Sequence, residues 1–206
     1  MQDYISKEIT GKLFNKLIGE TKIYKILNDT LCHHNFYYKD GLNIDTIIFN
    51  PTNECQSGGL YFCEETFLSE YIEYGIKIAT VEILDDARVY VENKKFKADK
   101  LILSNIILLK DFDKFADPIF CKLAVQENWW ALQFVKEQTF EICKLAVQQN
   151  GFALQSVKEQ TEEICKLAVQ QNGRVLQFVK EPTEEICKLS VKNNHHKSSN
   201  FLQKMC

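Results

Sequence analysis

The sequence predicts an α+β protein in two parts: a mostly antiparallel sheet with helices, then an α-helical solenoid of 22-residue helical-hairpin repeats. Two observations predict it. Between residues 35 and 110, short runs of β-type residues are separated by turn signals. From Cys121 onward, cysteine recurs at Cys143, Cys165 and Cys187, always 22 residues apart. The parts are assigned to residues 1–115 and 116–206.

In the first part, Ile5, Ile9, Leu13, Phe14, Leu17 and Ile18 fall at helical spacing, so one amphipathic helix is expected over residues 4–27. From Asn35 the pattern becomes β-like. NFYY runs to a Lys39-Asp40-Gly41 turn, and LNIDTIIF runs to Asn50-Pro51. IKIATVEIL, ARVYVE and KLILSNIILL form a second set, turning at Asp85-Asp86 and Asn93-Lys94. Between the sets, EETFLSEYIEYG is expected to be one helix ended by Gly75.

In the second part the units at 143–164 and 165–186 agree at 18 of 22 positions, and the unit before them agrees with the first of these at 17 of 22. Thr161 is an N-cap, with Glu162 and Glu163 at the positive end of the helix it starts. Ile164, Cys165, Leu167, Ala168 and Val169 give the apolar face. Asn172-Gly173 supplies a left-handed residue to end that helix. A second short helix from Val175 to Lys180 adds Val175, Leu176 and Val179 before Pro182 and the next cap, Thr183. One such hairpin cannot bury its own apolar face, so neighbours must stack. The fourth copy loses the pattern at Asn194, His195, His196 and Lys197 and reads as a polar end cap.

Side chains that differ between copies on a constant framework are candidates for a partner-binding surface: Trp129, Phe134, Arg174 and Phe178. Packing between units is the competing role for the bulky residues, Trp130 and Phe152 above all.

The charge of -3 divides into 14 basic against 18 acidic residues in 1–115 and 11 against 10 in 116–206, so neither part has the basic excess that nucleic-acid binding requires. No apolar run has bilayer length, and MQDYISKEIT lacks the order of a secretory signal, so a cytosolic protein without membrane attachment is expected. All eight cysteines are then expected as free, structural thiols. Cys32, His33, His34, Cys55 and Cys63 lack the paired knuckles of a zinc site, so no metal is expected. P-loop, dinucleotide-glycine and GxSxG signatures are missing from the sequence, which favours a binding protein without cofactor over an enzyme.

The units built on Cys-Lys-Leu-Ala-Val, Gln-Asn-Gly, Ala-Leu-Gln and Val-Lys-Glu closely resemble repeats of uncharacterised proteins of mimivirus-type giant viruses of amoebae, over residues 117–194. The resemblance implies a viral origin and an intracellular life, in host cytoplasm or associated with the virion. HHNFYYKDGLNIDTIIFNPTNECQSGGLYFCEETFLSEYIEYG and TVEILDDARVYVENKKFKADKLIL, across residues 30–104, look like a module that giant-virus proteins place before ankyrin or other arrays. That implies an adaptor whose partner is a host or viral protein.

Gly58-Gly59-Leu60-Tyr61-Phe62 leading into a helix and strand is also distantly similar to ADP-ribosyltransferase-like folds. This similarity implies an alternative in which His34, Tyr61 and Glu92 hold NAD, and the carboxylate steadies the cation formed as nicotinamide leaves. The His-Gly or Arg-Gly opening motif of those folds is missing here, and Glu82 and Asp99 compete with Glu92 for the acidic role.

Overall fold

The computed structural model describes residues 1–52 and 56–193. Contacts divide the chain into two units, Met1–Phe112 and Asp113–Cys206.

The expected N-terminal helix is much shorter in the first unit. Strand β1 (Lys7–Thr10) precedes helix α1 (Gly11–Ile18), and strand β2 (Ile23–Leu27) follows it. Two causes cut the helix down. Lys7–Thr10 is recruited into an antiparallel ladder with Arg88–Val91. Gly19, at φ 58, takes a left-handed conformation that stops α1. The Thr10 hydroxyl accepts from Leu13 N at 3.3 Å, capping the new start. The apolar spacing remains helical within α1, where Phe14 is fully buried between Phe62 and Phe96, at ring centroids of 5.7 and 4.9 Å.

Strands β3 (Cys32–His33) and β4 (Phe36–Tyr37) form a small hairpin. His34 and Asn35 turn it with φ of 49 and 63, the positive pair a two-residue hairpin turn needs. Strand β5 spans only Gly41–Ile44, not the whole LNIDTIIF run. Asp45 diverts the chain: its carboxylate accepts from Ile47 N at 2.9 Å and from Gly59 N at 2.7 Å, leaving Ile48 exposed.

Strand β6 (Leu60–Glu64) leads into helix α2 (Leu68–Tyr71), flanked by 3-10 helices at Glu65–Phe67 and Ile72–Tyr74. Gly75 follows with φ −178, extended rather than left-handed. It is needed there for close approach, since a Cβ would stand 2.0 Å from the Leu27 carbonyl oxygen.

Strands β7 (Lys77–Glu82), β8 (Arg88–Val91), β9 (Phe96–Ala98) and β10 (Lys100–Leu108) complete an eight-stranded sheet in the order β1-β8-β9-β6-β2-β7-β10-β5, with every pairing antiparallel. β9 and β10 are separated only by Asp99. The pairings β6–β9, β10–β7, β7–β2 and β2–β6 therefore return to their start, so the sheet curls on itself. Its inner face carries Leu60, Phe62, Val89, Val91, Phe96, Ala98, Leu101 and Leu103 around Phe14.

The second unit alternates helices α3 (Pro118–Glu127), α4 (Phe140–Gln149), α5 (Glu162–Gln171) and α6 (Glu184–Asn193) with 3-10 helices at Trp129–Phe134, Gly151–Ser156 and Gly173–Phe178. Thr139, Thr161 and Thr183 accept from the backbone N–H three residues on, at 3.3, 3.3 and 3.4 Å. Asp117 does the same work for α3, accepting from Ile119 N at 2.8 Å.

Asn172 does not supply a left-handed stop, because its φ is −154. Its backbone N–H closes α5 on the Ala168 carbonyl at 3.0 Å while its side chain accepts from Arg174 N at 3.0 Å. One residue thus ends an α-helix and caps the next element, which is 3-10 rather than α. Asn128 and Asn150 repeat this, accepting from Trp130 N and Phe152 N at 2.9 and 3.0 Å.

Ile164, Cys165, Ala168 and Val169 are buried as expected, but Leu167 is only half-buried. The fully buried leucines are Leu132, Leu154 and Leu176, from the 3-10 segments. Asn194, His195, His196 and Lys197 lie outside the described residues.

Candidate functional site

The varied positions of the second unit do not share one environment. Trp130 and Arg174, which stand at corresponding places 44 residues apart, are both exposed. Trp129 is half-buried and packs edge-on against Trp130 at 5.5 Å. Phe178 is half-buried against Phe152 at 6.0 Å. Phe134 is buried against Phe115 at 5.4 Å, which gives it a packing role and takes it off the surface. The structure therefore separates Trp130 and Arg174, which face solvent, from Phe134, which cannot meet a partner.

The cysteine ladder is a packing feature. Cys143 and Cys165 are buried, and burial raises both thiols above their ordinary pKa. Each S–H donates to a glutamine side-chain oxygen, Cys143 to Gln138 and Cys165 to Gln160. Cys121 donates instead to the Phe115 carbonyl at 3.3 Å. Cys187, which is buried, departs from the expectation of free thiols in being disulfide-bonded. Its copy has Pro182 where Gln138 and Gln160 stand, and so lacks that acceptor.

The first unit holds a second feature, a cavity of about 110 Å³ that no sequence pattern marks. It arises where two neighbouring strands part. β2 and β6 share only the pairs Ile23↔Glu64 and Tyr24↔Cys63. Beyond them Lys25–Leu27 stays with β7, while Leu60–Phe62 pairs with β9. Lys25, although 4 % exposed, spans the gap, its Nζ donating to the Tyr61 carbonyl at 2.7 Å and lying 4.3 Å from the Tyr38 ring centroid. Lys95 stands at the cavity with its Nζ 4.6 Å from the Tyr61 centroid and 3.4 Å from a Glu92 oxygen.

Of His34, Tyr61 and Glu92, only Tyr61 lines the cavity. The neighbouring histidine, His33, lines it instead and meets the Tyr61 ring edge-on at 6.4 Å. His34 packs on His33 at 4.1 Å. Glu92 is buried, one of its oxygens has no hydrogen-bond partner, and desolvation raises its pKa. Burial, helped by Lys25, His34 and Lys95, pushes the His33 pKa down to about 4, so its ring is neutral at neutral pH. Burial pushes the Cys63 thiol up to about 12, which removes it as a nucleophile. Among the described residues no cluster of three or more His, Cys, Asp or Glu is placed to hold a metal ion, and Cys55 lies outside them. No helix among them is long and apolar enough to cross a membrane.

Comparison with known proteins shows where the chain belongs. It is 37% identical over 111 residues to the uncharacterized protein R869 of Acanthamoeba polyphaga mimivirus, an overlap covering 51% of this chain and 80% of that one. The chain belongs to the R869 family. It is also 33% identical over 102 residues to the putative ankyrin repeat protein R868 of the same virus, covering 48% of this chain and 51% of that one. With the putative ankyrin repeat protein R229, also of that virus, it shares 30% identity over 92 residues, or 40% of this chain and 30% of that one. The chain thus matches most of R869 but about half of R868 and under a third of R229. Residues 139–182 match the model of a domain of unknown function, DUF4116, a span that starts at the cap of α4 and ends just before the cap of α6. No solved structure matches the chain.

Proposed function

We propose that this chain is a protein-interaction adaptor of a giant virus, and that its second unit is a short solenoid of 22-residue helical hairpins that binds a host or viral protein in the host cytoplasm. The observation that carries the reading is the split between core and surface in corresponding positions. Leu132, Leu154 and Leu176 are identical and fully buried, whereas Trp130 and Arg174 differ and face solvent. Aromatic and arginine side chains dominate most protein contacts, and a fixed core lets them vary at little cost to folding. The names of R868 and R229, putative ankyrin repeat proteins, support a role among protein-binding arrays. The near-neutral charge of residues 116–206 favours protein over nucleic acid as the partner.

The test is affinity capture from infected cells with the full chain, followed by measurement of the captured protein's affinity. Trp130→Ala with Arg174→Ala is expected to weaken a partner bound by the unaltered chain by at least about tenfold, with unfolding unchanged. Equal affinity in the altered, still-folded chain would remove the array face as the binding surface.

The NAD-binding alternative draws its support from Tyr61 at the cavity and from Glu92 beside Lys95. His34 enters it only through His33, so the adaptor reading is preferred.

A further inference from the structure

The sheet of the first unit ends at β1 on one side and β5 on the other, and the two edges differ in chemistry. β1 carries Lys7 and Glu8, both exposed, the kind of charged residues that keep an edge from pairing with another chain. β5 carries no charge between Gly41 and Ile44. Its residues Leu42 and Ile44 are 43% and 54% exposed. We propose that β5 is a self-association edge, along which a second copy of this chain adds its own β5 antiparallel and continues the sheet.

Backbone direction is the first argument. Asp45 N–H donates to the Asp99 carbonyl at 2.9 Å, so by the alternation of an antiparallel ladder Asn43 also turns its N–H and C=O toward β10. Leu42 and Ile44 turn theirs toward the open side. Two donors and two acceptors are thus presented at the spacing that an added strand uses.

Self-complementarity is the second argument, and it selects the occupant. A two-fold axis at Asn43 sets Leu42 of each copy opposite Ile44 of the other, and in that single register all four outward backbone groups are satisfied. On the outer face Leu42 already lies beside Ile102, its cross-strand partner in β10. Ile44 of the second copy extends that row, with no charge between the three aliphatic side chains.

Charge at the strand ends is the third. Antiparallel pairing lays the Lys39 end of one strand beside the Asp45 end of the other, and Asp40 meets the uncharged Thr46. Parallel pairing would bring Lys39 to Lys39 and Asp45 to Asp45. An unrelated strand could use the same backbone groups, but it would need an aliphatic pair and end charges at these spacings. β5 itself carries both.

Sedimentation velocity of the full chain tests the proposal. Over about 5 to 500 µM the unaltered chain is expected to pass from monomer to dimer and stop there, as a small two-fold interface requires. Leu42→Lys with Ile44→Lys should keep the chain monomeric throughout, because it sets ammonium groups against each other. Leu42→Glu with Ile44→Glu should do the same. Both pairs alter exposed residues, so thermal unfolding of dilute protein should be unchanged. Mixing the two altered chains should restore a dimer with one of each, in which every new lysine meets a new glutamate. A measurement without substitutions stands beside these: amide exchange at Leu42 and Ile44 of the unaltered chain should slow as the dimer forms.

An unaltered chain that stays monomeric would overturn the proposal and leave the edge to a strand of another protein. A dimer that persists in both altered chains, a mixture that fails to pair, or dimerisation without slowing of those two amides would overturn it as well. None of these outcomes bears on partner capture by the second unit.

Discussion

The side-chain amide of Gln138 donates to the carbonyl oxygen of Ser156 at 2.9 Å, 18 residues further along the chain. The same amide donates to Leu132 O at 3.0 Å, and its oxygen accepts from Lys158 N at 2.9 Å. Gln160 repeats the pattern one copy on, with Leu154 O at 3.2 Å, Phe178 O at 2.9 Å and Lys180 N at 2.9 Å. Each glutamine therefore ties its own 3-10 segment, at a carbonyl that also accepts from the backbone N–H three residues on, to the end of the next. The series stops at Pro182, which has no amide to offer.

Gln160→Met keeps the side-chain volume and removes all of these bonds. Leaving part-buried backbone groups unpaired costs about 1–3 kcal/mol each, and water recovers some of it here, so a loss of about 2–4 kcal/mol is expected. Urea unfolding of the full chain measures it. A loss no larger than that of Glu159→Ala, an exposed neighbour, would contradict the stapling role.

Burial ranks the leucines of the second unit. Leu154 is 0% exposed, and its truncation to Ala should cost about 2–5 kcal/mol. Leu123, on α3, is 57% exposed, and the same change there should stay within about 0.5 kcal/mol. Thermal unfolding of the two variants side by side checks the ranking, and equal effects would contradict it.

The sequence made the helix starts legible because their signal is local: Thr161 stands before two glutamates, and its hydroxyl accepts from Ile164 N. It placed Leu176 in the core, where it is fully buried, but placed Leu167 there too, because the two have equal hydropathy. Only the 3-10 geometry after Asn172, with its tighter turn, decides which of them points inward. β9 was missed because Phe96–Ala98 is three residues long with a lysine at its centre. Lys97 is fully buried there by donating to Asn50 O at 2.8 Å and Thr52 O at 3.2 Å, partners 45 or more residues away. The cavity was illegible for a similar reason, since it depends on where β2 leaves β6 and not on any motif. His33 rather than His34 faces it because the hairpin turn begins at His34.

Thiol reactivity should follow burial. Among the described free cysteines, Cys32 is half-buried while Cys63, Cys121, Cys143 and Cys165 are buried. Alkylation of the native chain at about pH 8, read by peptide mass spectrometry, should modify Cys32 first and the buried four only on unfolding. The Cys187 peptide should stay unmodified in denaturant until a reductant is added, because that sulfur is in a disulfide. Rapid native modification of Cys143, or alkylation of Cys187 without reductant, would contradict the assignments.

The first unit should lose stability in mild acid through His33. Its pKa falls from 6.5 to about 4 on folding, so between those values the unfolded chain binds the proton that the folded chain refuses. Stability from this group is fully present above the unfolded value and is lost as pH falls toward the folded one. His33→Gln should flatten the pH dependence of unfolding between about 4 and 6.5 relative to the unaltered chain. An unchanged slope in that window would mean that His33 titrates normally.

Burial separates packing from partner contact at positions that vary between corresponding segments of the second unit. Phe134 is 7% exposed and packs on Phe115, so Phe134→Ala should cost about 3–5 kcal/mol. Trp130 is 36% exposed, and Arg174 is exposed with its side chain outside the core. Trp130→Ala and Arg174→Ala should each cost about 1 kcal/mol or less. If the array binds a protein, the two groups must also differ in the opposite sense. The exposed pair should weaken binding in a fully folded chain, whereas Phe134→Ala should weaken it only in proportion to the fraction unfolded. Measuring affinity for the captured partner well below the unfolding midpoint of each variant distinguishes them. A binding defect confined to Phe134→Ala would place the contact elsewhere on the array, because a side chain covered by Phe115 cannot itself be the part that a partner touches.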